Sequence, residues 1–331
     1  MTYVIQARDL VQVFSTKQGR KKADVRAVDG VSLDVTPGEI VGFLGPNGAG
    51  KTTTLRMLTT LLKPTSGTAT VAGFDVVRQS VDVRRNIGYV SQAGGAFSGA
   101  LAGDEVVDHG LLYGMRRQDA IARGKELFAQ LDLDGLWKRM PKQMSGGQKR
   151  RLDIAMGLIN DPKIVFLDEP TTGLDPQARA NLWEHIRRLR DELGATIILT
   201  THYLDEADAL SDRIVIIDKG KIVASDTPAH LKAAIAGDLV DLVVADTDVA
   251  ATSELLARFA EQVAADGVHV RGRIAHAGAS IPNLLRELDQ RGLLLEAIEV
   301  HRPTLDDVFL TMTGRSLREA EAANDTTEVP A

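Results

Sequence analysis

Cysteine is absent from this chain of 331 residues. Disulfides and cysteine-ligated zinc are therefore excluded, and a reducing cytosol is permitted. No excess of positive charge exists either. Lys and Arg number 39 against 45 Asp and Glu, a net charge of −6, whereas nucleic-acid binders carry a basic footprint. No nucleic-acid partner is expected. No apolar run approaches the ~18 residues of a membrane span, so any membrane role must come through another chain. The opening Met1-Thr2-Tyr3-Val4-Ile5-Gln6 has no basic segment followed by an apolar one, and no signal peptide is expected. What remains is ordinary globular composition, 44% hydrophobic and 25% charged, enough for one large domain or two smaller ones.

The most informative stretch is Gly45-Pro46-Asn47-Gly48-Ala49-Gly50-Lys51-Thr52-Thr53. It fits G-x-x-x-x-G-K-[ST], the phosphate-binding P-loop. The apolar Glu39-Ile40-Val41-Gly42-Phe43-Leu44 precedes it as a buried strand. Leu55, Met57, Leu58, Leu61 and Leu62 follow at helical spacing and predict a helix over residues 51–62. A glycine-rich loop between a strand and a helix turns its N–H groups onto an anion, and the helix N-terminus adds positive partial charge. Lys51 is placed to reach the β- and γ-phosphates of a nucleotide, and the Thr52 hydroxyl to ligate Mg²⁺.

Other segments take their meaning from this one. Residues 4–14 and 28–35 read as strands flanking a polar, basic hairpin tip, Ser15-Thr16-Lys17-Gln18-Gly19-Arg20-Lys21-Lys22. Residues 68–71 and 87–90 read as short strands, with Gln92 just beyond the second. Residues 105–115 and 120–131 have helical periodicity. Ser145-Gly146-Gly147-Gln148 then has capping-box spacing at the start of another helix, which is either an ordinary cap or an anion site. Ile164-Val165-Phe166-Leu167 suits a strand buried on both faces. Asp168 and Glu169 emerge at its C-terminal end, where open α/β sheets bind ligands. Asp168 is placed to hold Mg²⁺, and Glu169 to orient or deprotonate a water. Asp175 followed by Pro176 reads as the N-cap and first residue of a helix running to Leu193. Residues 196–200 are a further buried strand, ending at Thr201-His202.

Taken together and in this order, the motifs resemble those of the ATP-binding-cassette (ABC) ATPases over about the first two-thirds of the chain. The resemblance implies an α/β P-loop ATPase with a RecA-like core, an antiparallel β-subdomain and a helical subdomain at about residues 93–162. It implies ATP and Mg²⁺ as ligands. Residues 45–53 are similar to the family's Walker A motif, and residues 164–168 to Walker B, with Glu169 as the carboxylate after it. Gln92 corresponds to the Q-loop glutamine near the metal, Asp175 to the dimer-communicating D-loop, and His202 to the switch histidine. Ser145, Gly146, Gly147 and Gln148 correspond to the signature that contacts ATP on a partner cassette. Phe14 stands where the family stacks an aromatic ring on adenine. Met144 replaces the family's usual Leu before the signature Ser. One P-loop and one signature imply a homodimer, docked to integral-membrane permease subunits on separate chains at the cytoplasmic face of the membrane.

Residues 1–230 are thus expected to form the cassette, residues 231–315 a small α+β domain, and residues 316–331 a disordered tail. In the small domain, residues 240–245, 268–274 and 295–300 read as strands, and residues 251–264 and 281–291 as helices. The segment 302–314 resembles the C-terminal part of the daunorubicin-resistance type of export ATPase. Its stripe of Leu305, Val308, Phe309 and Met312 must bury against its own small domain, the cassette or a partner's matching segment, and a contact across the dimer is favoured. Export of a drug, antibiotic or lipid-like compound is the function this implies. The alternatives are a soluble ABC ATPase acting on ribosomes or DNA and a cassette serving a non-export transport system. Ribosome-acting paired-cassette members carry two cassettes in one chain, and DNA-repair members insert long coiled coils; neither feature occurs here. Lys51, Asp168, Glu169 and His202 together argue against a catalytically dead cassette.

Overall fold

The computed structural model describes residues 3–18, 21–235, 237–275, 277–314, 316, 317 and 319. Two compact units divide the chain, Met1–Pro228 with Leu317–Ala331, and Ala229–Ser316. Most of the stretch expected to be a tail, and Gly19 and Arg20 of the expected hairpin tip, lie outside the described residues.

The larger unit contains strands β1 (Ile5–Gln18), β2 (Lys21–Val35), β3 (Ile40–Leu44), β4 (Ser66–Val71), β5 (Phe74–Asp75), β6 (Ile87–Val90), β7 (Ile164–Asp168), β8 (Thr196–Thr201), β9 (Arg213–Asp218) and β10 (Lys221–Asp226). They form two sheets. The main sheet has the order β10-β9-β3-β8-β7-β6. All its neighbours are parallel except the β9–β10 hairpin. The second sheet, β2-β1-β4-β5, is antiparallel.

Every residue of β3, β7 and β8 is buried, because the main sheet is covered on both faces. Ile40, Val165, Leu167, Ile197 and Leu199 belong to one core cluster. Val41, Phe43, Ile164, Phe166 and Ile198 belong to the other. Each such fully buried side chain contributes about 1.5–3 kcal/mol. Register aligns the strand ends. Leu44 is level with Thr201, and Asp168 with Thr200. The residues that follow, Gly45, Glu169 and His202, therefore leave one edge of the sheet together.

The helices of this unit are α1 (Lys51–Leu58), α2 (Ser80–Asn86), α3 (Ala102–Leu112), α4 (Arg117–Gln130), α5 (Gly146–Leu158), α6 (Pro176–Leu193) and α7 (Leu204–Leu210). Helix α1 ends four residues before the expected Leu62. The Thr59 hydroxyl bonds back to the Leu55 carbonyl at 2.8 Å, Thr60 takes φ +66°, and Leu61 is left exposed. Helices α3 and α4 meet at Trp137, whose ring lies 4.9 Å from that of Phe128 between centroids. Two helical glycines are required here. A Cβ at Gly103 would stand 2.3 Å from Trp137 Cε2, and one at Gly124 2.9 Å from Trp137 Cη2.

The boundary between units falls within α8 (Pro228–Ala233). The smaller unit follows as β11 (Asp238–Val244), α9 (Val249–Leu256), β12 (Glu261–Asp266), β13 (His269–Ile274), α10 (Ala277–Gln290), β14 (Leu295–His301) and α11 (Leu305–Thr313). Up to β14 this is a β-α-β-β-α-β succession of the split-βαβ kind, with sheet order β12-β13-β11-β14 and antiparallel neighbours throughout. Val240, Leu242, Val244, Val270 and Ile274 share a core with Leu255, Leu256, Leu284 and Leu288 of α9 and α10. The helix expected over residues 251–264 stops near its middle, and β12 takes the remainder. Glu261-Gln262-Val263-Ala264-Ala265-Asp266 is an edge strand with no fully buried residue, so it lacks the alternation that marks a half-buried strand. The stripe on α11 is mostly buried within the chain. Leu305, Val308 and Phe309 are already buried within the single chain, and only Leu310 and Met312 are exposed. An apolar face satisfied within its own chain does not require a dimer contact.

Candidate active site

The P-loop joins β3 to α1. Its glycines answer to steric demands. A Cβ on Gly45 would lie 2.2 Å from the Ile217 carbonyl oxygen of β9, and Gly50 has φ +106° with the Ala27 carbonyl at 2.5 Å from a built Cβ. Gly50 caps α1 without a side-chain bond, and a helix N-terminus of this kind favours an anion. Lys51 is 4% exposed. Its Nζ donates to the Gly45 carbonyl at 2.6 Å and the Pro46 carbonyl at 3.1 Å, and lies 3.8 Å from Glu169 Oε1.

Around it the expected residues converge. Asp168 Oδ1 accepts from the Thr52 hydroxyl at 2.9 Å and from the Thr200 hydroxyl at 2.7 Å. The Tyr89 hydroxyl donates to Asp168 Oδ2 at 3.4 Å. Glu169 Oε2 accepts from Gln92 Nε2 at 2.9 Å and the Thr172 hydroxyl at 3.1 Å, and His202 Nδ1 stands 3.5 Å away. The Glu169 N–H donates to the Thr200 hydroxyl at 3.0 Å. Glu169 is 8% exposed. Burial alone would raise its pKa; His202, the Lys51 charge and the Thr172 hydroxyl outweigh burial and hold the carboxyl below its ordinary value. Glu169 also has φ +44°, a conformation that costs about 1–3 kcal/mol for a side chain of this kind and persists when its surroundings over-determine it.

Gln92 thus meets Glu169, and no hydrogen bond joins it to the Thr52–Asp168 pair among the described residues. The Thr52 hydroxyl and the Asp168 carboxylate are hard oxygen donors and suit Mg²⁺, which takes few protein ligands and completes its shell with waters and phosphates. No cluster of three or more His, Cys, Asp or Glu side chains able to hold a metal occurs among the described residues.

Other predicted residues stand apart. Ser145 caps α5 with a full capping box. Its Oγ accepts from the Gln148 N–H at 3.2 Å, and Gln148 Oε1 accepts from the Ser145 N–H at 2.9 Å. Ser145 and Gly146 are exposed and Gly147 and Gln148 half-buried. No hydrogen bond or ion pair links this cap to the P-loop of the same chain among the described residues. Asp175 caps α6, its Oδ1 accepting from the Ala178 N–H at 2.9 Å. Phe14 lies on β1, 39% exposed, and its ring joins no other ring among the described residues.

Sequence reasoning missed Thr172, Thr200, Tyr89 and Arg150. Thr200 follows from the Asp168 register, which a single sequence does not display. Arg150 sits on α5 at 7% exposed and donates to three backbone carbonyls around Glu169. In the sequence it stands within the run Lys149-Arg150-Arg151, which gives no sign of which cation is buried.

This site defines a P-loop ATPase, with a loop for phosphates after β3, a lysine, and two carboxylates at the end of β7, which β8 separates from β3 in the sheet. The ABC transporter domain family matches residues 28–172. The chain is 40% identical over 306 residues to the daunorubicin resistance ATP-binding protein DrrA3 of Streptomyces coeruleorubidus, covering 92% of this chain and 96% of that protein. It is 36% identical to the Nod factor export ATP-binding protein I of Burkholderia lata, covering 91% and 96%. Among solved structures it is similar to the dimeric ATP-binding cassette MJ0796 in a post-hydrolysis state bound to ADP and Pi, at 26% identity and a TM-score of 0.60, covering 67% of this chain and 98% of that one. The chain belongs to the ATP-binding proteins of the ABC transporter family, and it is an ATPase cassette with the α/β P-loop fold of that class.

Proposed function

We propose that this chain is the ATP-hydrolysing subunit of an exporter for a drug, antibiotic or lipid-like compound. It works as a homodimer at the cytoplasmic face of a membrane, docked to a permease on a separate chain. The observation that carries this reading is the extent of its likeness to the resistance and export proteins. That likeness runs through both units and not the cassette alone, covering 92% of this chain against DrrA3. No helix among the described residues is long and apolar enough to cross a membrane, so the route for the compound must be supplied by another chain.

In this reading the P-loop N–H groups and Lys51 hold the nucleotide phosphates, with Lys51 leaving the Gly45 and Pro46 carbonyls to do so. Thr52 and Asp168 would hold Mg²⁺, which supplies neutralisation of phosphate charge. Glu169, kept ionised by its neighbours, orients the attacking water and takes its proton. Gln92 and Thr172 fix its Oε2, and His202 stands beside it to steady the transferring phosphoryl group. Phe14 stacks on adenine. Ser145, Gly146, Gly147 and Gln148 close over the nucleotide of the second copy, with Asp175 at the contact between copies.

The test is to express the chain with the membrane protein that co-purifies with it and measure efflux from inverted vesicles. ATP-dependent transport that disappears with Glu169→Gln is the expected result. Vigorous ATP hydrolysis by a chain that never co-purifies with a membrane protein would refute the export reading.

A further inference from the structure

Arg150 has no part in the chemistry above, yet it is a buried cation in the wall of the site. Burying a guanidinium costs several kcal/mol unless its hydrogen bonds are met. Here they are met by backbone alone. Nε donates to the Pro170 carbonyl at 2.8 Å, Nη1 to the Ser91 carbonyl at 2.6 Å and Nη2 to the Asp168 carbonyl at 3.0 Å. Residues 168 and 170 flank Glu169 on both sides, and residue 91 immediately precedes Gln92. One turn further along the same helix, Asp153 Oδ1 accepts from the Gly95 N–H at 2.8 Å and the Ala96 N–H at 3.1 Å. Helix α5 therefore grips the Gln92 loop before and after Gln92, and the peptide units on either side of Glu169. Its own N-terminus is the exposed Ser145 cap.

Packing alone does not explain this choice of residue. An apolar side chain would fill the space without the desolvation, whereas the planar fork of Arg suits several acceptors at fixed angles. The strained φ of Glu169 also needs neighbours that hold it, and the Asp168 and Pro170 carbonyls are where such a hold acts. We propose that Arg150, supported by Asp153, is a positioning residue that ties the orientation of Glu169 and Gln92 to helix α5. Engagement of the Ser145 cap by the nucleotide of a second copy then sets the Glu169 carboxylate for hydrolysis. This rests on the reading of Glu169 as the group that orients and deprotonates water.

The test uses the full chain with Arg150→Met, Arg150→Lys, Glu169→Gln and the Arg150→Met/Glu169→Gln double variant. Nucleotide affinity is measured by titration and hydrolysis by single-turnover phosphate release. Small misplacements of reacting groups cost about 10²-fold, so Arg150→Met should lose about that much in hydrolysis while its nucleotide Kd stays within about two-fold. Arg150→Lys, a point charge that cannot make three forked bonds, should fall between, and it keeps the test valid if the Met variant does not fold. Because Arg150 acts through Glu169, the double variant should hydrolyse no more slowly than Glu169→Gln alone. Additive losses, or a Kd that weakens in step with hydrolysis, would overturn the proposal and leave Arg150 a structural residue. Near-normal hydrolysis by Glu169→Gln would instead remove the parent reading, and this one with it.

Discussion

Glu169→Gln removes a proton acceptor and changes little else, and the local geometry says how little. Glu169 Oε2 accepts from Gln92 and Thr172 at 2.9 and 3.1 Å, and Oε1 faces Lys51 Nζ at 3.8 Å. In the variant the amide oxygen takes the Oε2 place and keeps both bonds. The amide NH₂ takes the Oε1 place and faces a lysine already bonded to the Gly45 and Pro46 carbonyls. What folding loses is charge assistance in two hydrogen bonds and the attraction of Lys51, about 1–2 kcal/mol. Part of that is returned because a buried carboxylate no longer has to be desolvated. The chemical step loses more. A positioned general base contributes about 10²–10⁴-fold, equivalent to about 3–5 kcal/mol of transition-state stabilisation.

Three measurements on purified chain separate these terms. Nucleotide titration should give a Kd within about three-fold of wild type, because that is under 1 kcal/mol. Phosphate release at saturating ATP should fall by about 10²-fold or more. Size-exclusion chromatography with ATP should show a dimer that wild type does not accumulate. Turnover within about ten-fold of wild type would refute the reasoning, since the lost 1.4 kcal/mol would fit a hydrogen bond and not a proton acceptor.

Three further outcomes are expected. Phe14→Ala should weaken ATP binding by about 1 kcal/mol, the low end of aromatic stacking, and Phe14→Tyr should not; equal titration curves for wild type and the Ala variant would remove Phe14 from the adenine site. Gly124→Ala gains helix propensity of about 1 kcal/mol, but the new Cβ meets Trp137 at 2.9 Å and Val106 at 3.1 Å, so urea denaturation should show a net loss of about 1–3 kcal/mol. Arg213 donates to both Glu39 oxygens, at 2.6 and 3.2 Å; burial raises the Glu39 pKa, but Arg213 and Thr36 bring it below its ordinary 4.5. A carboxyl with a depressed folded pKa stabilises above its unfolded pKa and loses that contribution as pH falls through the folded one. The Tm gap between wild type and Glu39→Gln should therefore be full at neutral pH and close as pH drops below 4.5, and a gap that widens in acid would contradict the sign.

The parts of the fold most legible in the sequence are those where one physical demand dominates. β3, β7 and β8 are covered on both faces and so appear as unbroken apolar runs. Ser145, Asp175 and Pro176 announce helix starts through local hydrogen-bonding chemistry, and the structure has those caps. Asp168 and Glu169 are visible because carboxylates at the end of such a run cannot belong to its core. The illegible parts depend on pairing between distant segments. Thr200 is one of six buried residues of β8 until register sets it beside Asp168. β12 is an exposed edge strand and carries no pattern of its own. Leu305, Val308 and Phe309 show their spacing plainly, but spacing says that a face buries and not against what. Their burial within the chain removes the need for a partner there.

The proposed pairing of copies gives the separation of the Ser145 cap from the Lys51 site a physical reason. Lys51, Thr52, Asp168, Glu169, Gln92 and His202 meet at one sheet edge, linked by contacts of 2.9 to 3.8 Å. The Ser145 cap makes no bond to the P-loop among the described residues, and within its capping box only the Ser145 and Gln148 N–H groups are used. The Gly146 and Gly147 N–H groups at the start of α5 donate to no acceptor among the described residues. A helix N-terminus with unpaired donors on an exposed turn favours an anion. In the proposed head-to-tail pair of copies, that anion is the nucleotide held at the partner's P-loop. Arg150 and Asp153 would then give that closure a consequence, because the helix proposed to receive the partner's nucleotide is the one that grips the backbone around Glu169. On the proposed reading ATP is needed for the pair to close and closing is needed for the Glu169 carboxylate to be set, and a solitary chain is expected to hydrolyse slowly.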